Sequence, residues 1–168
     1  MPTLRVLGID TSLRSTGLGV VEREGNRLRA VAHATLKNPA GWSHSTCLER
    51  IYRDLQALIE EATPAGVSIE GVFHFKNSRT AVILGQARGV AIAACAGHAL
   101  PVYEYSPRRV KQSVCGSGAA SKEQVARMVC SMLGLPTTPP DDETDALALA
   151  ICHLHSLTSI SGLEPKPI

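Results

Sequence analysis

This sequence has little net charge. Its 17 Lys and Arg residues exceed its 15 Asp and Glu residues by two, so the formal net charge is only +2. Overall charge therefore neither requires nor excludes a nucleic-acid partner, and such a partner must be inferred from local clusters. With 168 residues and 44% hydrophobic content, the chain is long enough for one sizeable core and too short for two.

The sequence also lacks the cysteine pattern of a disulfide framework or a zinc site. Its five cysteines are odd in number, widely spaced and never in a Cys-x-x-Cys pair: Cys47, Cys95, Cys115, Cys130 and Cys152. No charged start followed by an apolar segment and a small-residue cleavage site is present at the N-terminus. These features predict a reducing, cytoplasmic location.

No apolar run is uninterrupted enough to predict a membrane span. The most apolar stretch, residues 81–99, contains three polar interruptions: Gln86, Arg88 and His98. It predicts a buried helix that begins near Ser78. Gly85 and Gly89 lie on one face of that helix, where the sheet or a second subunit could approach closely.

Hydrophobic periodicity predicts alternating strands and helices. Residues 4–9, 17–23 and 27–36 predict three strands joined by short turns. Apolar residues then recur at helical spacing from Leu48 to Ala62. A fourth strand is predicted at 67–73 and a fifth at 102–105. Three strands in a meander, followed by strands alternating with helices, favour an α/β fold with a mixed sheet.

Three further helices have clear start or stop signals. Ser106 and Pro107 predict the cap and first residue of one helix. Ser121 with Gln124 predicts a capping box for the next helix, which Gly134 would end. After a proline-rich connector, the final helix is predicted from about residue 141.

Four carboxylates occupy positions that are unusual for surface acids. Asp10 ends an apolar strand-like run, and Glu70 ends another; Asp142 and Asp145 lie one turn apart at the start of the last helix. Oxygen ligands from strands and a helix suit Mg²⁺ or Mn²⁺, and a pair of such ions is a common device for cutting phosphodiesters. A structural interpretation stays open for each acid: turn capping for Asp10, an edge-strand charge for Glu70, and helix N-capping with complementarity to the helix dipole for Asp142 and Asp145.

Two local clusters of basic residues are candidates for phosphate contacts. Arg108, Arg109 and Lys111 form one cluster, and Lys76 and Arg79 form the other beside the fourth strand. The residue pattern alone favours a solvated helix face for either cluster, because such faces are common. Contact with phosphates is the alternative interpretation.

The order of these motifs resembles one family. Gly8-Ile9-Asp10, Gly85-Gln86-Ala87-Arg88-Gly89 after Lys76-Asn77, and Asp142-x-x-Asp145-Ala-Leu-Ala together resemble the RuvC Holliday junction resolvases. The resemblance runs from about residue 4 to about residue 155. The Gly-Gln-Ala-Arg-Gly string is its most specific part. Thr11-Ser12 departs from the Pro-Gly that the family commonly has there.

The resemblance implies a fold and a metal centre. It implies a single ribonuclease H-like nuclease domain over residues 1–157, with a five-stranded mixed sheet flanked by helices and a frayed tail at 158–168. It implies four residues that are both catalytic and metal-binding: Asp10, Glu70, Asp142 and Asp145. Two Mg²⁺ ions are implied, with Mn²⁺ able to substitute, and the implied products are a 5′ phosphate and a 3′ hydroxyl.

The resemblance also implies partners. A homodimer with two-fold symmetry would make paired symmetric cuts in strands of like polarity of a four-way junction. The implied DNA contacts are Phe73, Lys76, Arg108, Arg109, Lys111 and Lys122. Phe73 is either a wedge at the crossover or a core residue. Branch-migration proteins of the RuvA and RuvB type are possible companions in recombination and repair.

Three other functions fit parts of the pattern. One is a ribonuclease H-like nuclease that processes ribosomal RNA precursors, and another is a non-catalytic junction-binding module. The third is an ATPase of the actin and sugar-kinase type, which needs two such domains and exceeds this length. The nucleases of ribosomal RNA precursors and the ATPases are not expected to carry the Gly85-Gln86-Ala87-Arg88-Gly89 segment with Lys76-Asn77.

Overall fold

The structure is a computed structural model that describes residues 3–71, 77–158 and 165–168. Its centre is a five-stranded sheet in the order β3-β2-β1-β4-β5. The strands are β1 (Leu4–Asp10), β2 (Ser15–Glu24), β3 (Arg27–Lys37), β4 (Gly66–Glu70) and β5 (Val102–Tyr105). The first three are antiparallel neighbours, whereas β1, β4 and β5 run parallel. The predicted mixed sheet of the ribonuclease H-like fold is thus confirmed.

Helices cover both faces of the sheet. They are α1 (His44–Ala62), α2 (Ser78–Gly97), α3 (Pro107–Cys115), α4 (Lys122–Leu133) and α5 (Asp141–Ser156). Alternate residues of β1 enter two apolar clusters, because successive strand side chains point to opposite faces. Leu7 and Ile9 pack with α1 and α2, whereas Val6 packs with α3, α4 and α5.

The predicted start and stop signals of the helices are confirmed. Ser106 caps α3, whose first residue is Pro107. Ser121 and Gln124 form both hydrogen bonds of the capping box of α4. Gly134 follows that helix with a φ of 64°, a left-handed conformation that glycine adopts without a steric penalty.

Strand β4 ends at Glu70, so the predicted strand at 67–73 is wrong at Gly71, which lies outside the strand. Its pairing with β5 stops at the register Glu70↔Tyr105. The neighbouring strand cannot extend the ladder further, because Ser106 and Pro107 begin α3 directly after Tyr105. Phe73 and Lys76 lie outside the described residues.

Helix α2 is buried along one face only, which corrects the prediction of a buried helix. Its buried residues are Ala87, Arg88, Ala91, Ala94 and Cys95. Val82 is 60% exposed, and a Cβ built on Gly85 or Gly89 would meet no described heavy atom within 4 Å. By length and composition alone α2 could cross a membrane, but one such helix is weak support for a span.

Close packing of α5 against β1 and β2 sets the position of the last helix. A Cβ built on Gly8 would overlap the carbonyl oxygen of Ala146, and one built on Gly17 would overlap the carbonyl oxygen of Asp142. Glycine at these two strand positions therefore lets the backbone of α5 lie directly on the sheet. Beyond α5, the backbone N–H of Ile168 donates to the carbonyl of Val102.

Candidate metal centre

Two strand ends and one helix bring three of the four predicted acids to a single cavity. Asp10 ends β1 and Glu70 ends β4, and these adjacent parallel strands finish at the same edge of the sheet. Asp145 enters from the second turn of α5. The cavity is lined by Asp10, Glu70, Pro107, Val110, Lys111, Lys122, Val125, Asp145, Ala148 and Leu149.

Burial and mutual repulsion oppose ionisation of these acids. Burial raises the pKa of Asp10 to about 7, and the charges of Asp145, Glu70 and Asp142 add to that effect. Burial also raises the pKa of Glu70, followed by the charge of Asp145. The pKa of Asp145 is raised chiefly by burial as well. The fold therefore concentrates negative charge where a cation would stabilise it.

Two lysines partly offset this charge. The Nζ of Lys122 lies 3.8 Å from Oδ2 of Asp145; the lysine side chain is 72% exposed, whereas that of Asp145 is only partly exposed, at 41%. Lys111 also faces the cavity, and both lysines act to lower the pKa of Glu70 and of Asp145. The centre thus combines carboxylates for a cation with ammonium groups at its open side.

Asp142 lies beside the cavity rather than in its wall. Its carboxylate accepts a hydrogen bond from the hydroxyl of Ser15, at the start of β2. The neighbouring Glu143 is held by His33 at 2.5 Å and by Thr35 at 3.0 Å. These contacts tie the first turn of α5 to β2 and β3. Ser15 and Glu143 had no distinguishing sequence pattern, so their roles emerge only in the folded chain.

The structure tests the structural interpretations of three of the acids. Strand β4 lies between β1 and β5, so Glu70 is not an edge-strand charge. The residue that precedes α5 is Pro140, which makes no side-chain capping hydrogen bond, so neither Asp142 nor Asp145 is the N-cap; Asp142 does lie in the first turn of α5, where a negative charge complements the helix dipole. In the turn after Asp10, the local contacts are instead made between Thr16 and Ser12.

The donor set fits a hard divalent cation. The acids around the cavity offer only oxygen ligands, which suit Mg²⁺ and Mn²⁺. Across residues 3–71, 77–158 and 165–168, no three Asp, Glu, His or Cys side chains converge into a finished ligand cage.

The predicted DNA contacts separate into two groups. Lys111 and Lys122 face the cavity. Arg108 and Arg109 are exposed on α3 but do not line it. The side chain of Arg108 lies against Gly118, and the carbonyl of Arg109 accepts a hydrogen bond from the Cys152 thiol.

Sequence reasoning assigned no role to Arg88, although it singled out the surrounding motif. The guanidinium Nη1 of Arg88 donates to the backbone carbonyl of Glu70, and Nη2 forms an ion pair with Glu104 on β5. A buried arginine in an apolar stretch is the one signal that pointed to such a contact.

Comparisons with known proteins agree with this geometry. A family model described as Crossover junction endodeoxyribonuclease RuvC matches residues 6–153. A relative of that name from Syntrophomonas wolfei is 46% identical over 162 residues, which cover 96% of this chain and 94% of the relative. Another of that name, from Chloroflexus aggregans, is 47% identical over 158 residues, covering 94% and 96%.

Solved structures give the same result. The structure of T. thermophilus RuvC in complex with a Holliday junction substrate is similar with a TM-score of 0.91 and 31% identity, covering 98% of this chain and 99% of that chain. The yeast mitochondrial Holliday junction resolvase Ydc2 is 12% identical, with a TM-score of 0.67, and shares the fold. The chain therefore belongs to the RuvC family of crossover junction endodeoxyribonucleases.

Proposed function

We propose that this protein resolves four-way DNA junctions by metal-dependent hydrolysis, in homologous recombination and DNA repair. One observation carries the proposal: Asp10, Glu70 and Asp145 share one cavity with Lys111 and Lys122. The names of the relatives support a nuclease, and the similar T. thermophilus protein was solved with a Holliday junction substrate. We infer a cytoplasmic location from the family and from the five free thiols.

The chain's own residues supply the charge pattern that hydrolysis requires. RuvC-family nucleases are metal-dependent, and we infer two Mg²⁺ ions held by the catalytic acids Asp10, Glu70, Asp142 and Asp145, with Mn²⁺ able to substitute. When bound, such ions lower the pKa of the attacking water and stabilise the leaving 3′ oxygen. We propose that the ammonium of Lys122, which lines the cavity, attracts the scissile phosphate. The expected nicks carry a 5′ phosphate and a 3′ hydroxyl.

DNA is proposed to run from the cavity along α3. Lys111 of α3 and Lys122 of α4 would bind the phosphates nearest the cut. The exposed Arg108 and Arg109 of α3 would bind phosphates further from it. Phe73 and Lys76 follow Glu70 closely in sequence. We propose that both contact the junction.

A homodimer is proposed to pair the two cuts. A four-way junction has approximate two-fold symmetry, and a C2 dimer offers two identical centres to strands of like polarity. The exposed face of α2, formed by Val82, Gly85, Gln86, Gly89 and Ala93, is small or apolar except for Gln86. This face belongs to α2, the helix that follows β4 and its Glu70 in the chain. A second subunit bound there would link the metal centres of the two subunits through α2. RuvA and RuvB type proteins are proposed as companions.

A cleavage assay tests the proposed reaction. The protein is incubated with a synthetic four-way junction, a matched duplex and an RNA–DNA hybrid, each with Mg²⁺ or with EDTA. We expect symmetric cuts in the junction alone, and only with Mg²⁺. Preferential cleavage of the hybrid would favour a nuclease of RNA precursors and overturn the proposal.

Variants separate binding from chemistry. Asp10→Asn and Asp145→Asn each remove a carboxylate charge but little volume, so junction binding should persist while cleavage falls by about 100-fold or more, equivalent to roughly 2.7–4 kcal/mol. Glu61→Gln is the matched control, because Glu61 is an exposed acid of α1 that does not line the cavity. Turnover of Asp10→Asn above about a tenth of wild type would contradict the role of Asp10.

A further inference from the structure

Arg88 joins helix α2 to the end of the strand that carries Glu70. Its side chain lies within the fold, with only 9% of the residue exposed. One nitrogen of the guanidinium donates to the carbonyl of Glu70, and another pairs with the carboxylate of Glu104. A single planar group thus holds two adjacent strands, β4 and β5.

We propose that Arg88 is a positioning residue for the metal centre, which rests on the proposed function above. The arginine acts through the backbone of Glu70, since no contact between its guanidinium and the Glu70 carboxylate is recorded among the described residues. Fixing that carbonyl fixes the peptide plane, and the peptide plane sets the direction in which the side chain leaves the strand. The Glu70 carboxylate is thereby held towards Asp10 and Asp145.

The end of β4 needs such a contact because its ladder with β1 is already finished. Within the described residues, the pairing of β1 with β4 ends at Ile9↔Ile69, one residue before Glu70. On the other side, the N–H of Gly71 donates to the carbonyl of Tyr105 at 2.8 Å. The strand end at Glu70 is therefore held by two contacts: the sheet hydrogen bond to β5, and the hydrogen bond from Arg88 to the Glu70 carbonyl.

The chemistry of the pair favours arginine over lysine. A guanidinium presents several N–H donors in a fixed plane, so it can contact a carbonyl and a carboxylate at once. All donors of a lysine are on one nitrogen, so a lysine would bind only one of the two partners well. Glu104 is 34% exposed at its side chain, whereas that of Arg88 is 11% exposed, so the carboxylate anchors the arginine from the outer side.

The residues beside Arg88 on α2 divide between the protein interior and the exposed face. Gly85, Ala87 and Gly89 surround Arg88 in the sequence and are small. Ala87 is buried beside Arg88, whereas Gly85 and Gly89 lie on the exposed face of α2. The same two turns of helix therefore hold Glu70 on one side and offer the proposed dimer surface on the other.

Mn²⁺ binding to the full chain without DNA tests the proposal, because it measures the centre independently of cleavage. Wild type, Arg88→Lys and Glu104→Gln are titrated with Mn²⁺ by calorimetry, and their melting temperatures and junction binding in EDTA are measured in parallel. We expect Arg88→Lys to remain folded and to bind junctions, but to bind Mn²⁺ about tenfold more weakly. Glu104→Gln, which keeps Arg88 but loses the ion pair, should show a smaller loss of affinity.

Arg53→Lys is the matched control, since Arg53 is an exposed arginine of α1 whose ion pairs within the described residues are with Glu49 and Asp54. It should leave Mn²⁺ affinity unchanged. Wild-type Mn²⁺ affinity in folded Arg88→Lys would overturn the proposal. If Arg88→Lys fails to fold, Glu104→Gln decides, and unchanged affinity in that variant overturns it. A wild-type protein that does not cut junctions would instead overturn the proposed function.

Discussion

At the scale of single residues, Asp10 is a carboxylate whose ionisation the fold opposes. Its pKa is raised from 3.8 to about 7, first by burial and then by Asp145, Glu70 and Asp142. The unfolded chain ionises this group at a lower pH than the folded chain does. The stability of the metal-free protein should therefore fall as the pH rises from about 4 through about 7.

Asp10→Asn should relieve this cost. In EDTA at about pH 8 we expect the variant to unfold with a free energy higher by about 2 kcal/mol than wild type, and by less at about pH 5. Mg²⁺ should raise the melting temperature of wild type but hardly that of the variant. Denaturant unfolding at the two pH values provides the measurement, with Glu61→Gln as control. An equal gain at both pH values would contradict the electrostatic cause.

His153 is a buried residue of a different kind, outside the metal centre. It is 2% exposed, its Nδ1 and the hydroxyl of Tyr105 form a hydrogen bond of 2.6 Å, and its ring stacks on Tyr103 with centroids 4.1 Å apart. Burial lowers its pKa to about 4, and the charge of Arg23 acts in the same direction. The histidine therefore stays neutral in the folded protein at neutral pH.

This shift predicts acid sensitivity. The unfolded chain takes up a proton at His153 near pH 6.5, whereas the folded chain resists protonation until about pH 4. The stability contribution is present above about pH 6.5 and should decline by roughly 2–3 kcal/mol as the pH falls to about 4. His153→Gln should flatten that part of the pH profile of unfolding, whereas the exposed-site change His44→Gln should not. Parallel profiles of wild type and His153→Gln would contradict this prediction.

At the scale of elements, the contact of α5 with β1 sets the distance between Asp145 and Asp10. The backbone of α5 lies against Gly8, where a side chain has no room beside Ala146. Any group added at this strand position must push the helix outward. Stability and metal binding should therefore change together.

Gly8→Ala tests this coupling. We expect the free energy of unfolding to fall by about 1–3 kcal/mol or more, because an added methyl overpacks the helix against the sheet. Mn²⁺ affinity of the folded fraction should also fall, since Asp145 moves with α5. Gly41→Ala is the control, because a Cβ there would meet no described atom within 4 Å. Calorimetry and denaturant unfolding measure both effects, and a stable Gly8→Ala variant would refute the close approach.

At the scale of the whole molecule, the exposed face of α2 is the surface through which we propose that two subunits pair. Val82 is the most exposed large hydrophobic residue of that helix, at 60%. The neighbouring Gly85 and Gly89 leave space for a second backbone. A stable pair of subunits would cover this surface.

Val82→Glu should therefore separate the dimer without unfolding the monomer. We expect sedimentation velocity to show a dimer for wild type and a monomer for Val82→Glu, with an unchanged melting temperature at low protein concentration. Junctions should then be nicked singly rather than cut in pairs. Met128→Glu is the matched control, since Met128 is 38% exposed on α4. A dimer that survives in Val82→Glu would place the interface elsewhere.

The sequence alone determined the elements and the acids, because their causes are local. Strand and helix periods, the Ser106-Pro107 start of α3 and the capping box of α4 depend on residues a few positions apart. Acids that end apolar runs were visible for the same reason. The mixed five-stranded sheet followed from the order of these elements.

Only the tertiary structure decided which groups meet. Asp145 faces the cavity. Asp142, three residues earlier, instead accepts a hydrogen bond from Ser15, which is 127 positions away in the chain. Helix α2 is apolar on nearly every face, so its sequence has no periodicity that shows which side is exposed. Arg88 contacts the Glu70 carbonyl and the Glu104 carboxylate only because α2 packs near β4 and β5 in the folded chain. Such contacts depend on how elements pack, which local sequence patterns do not encode.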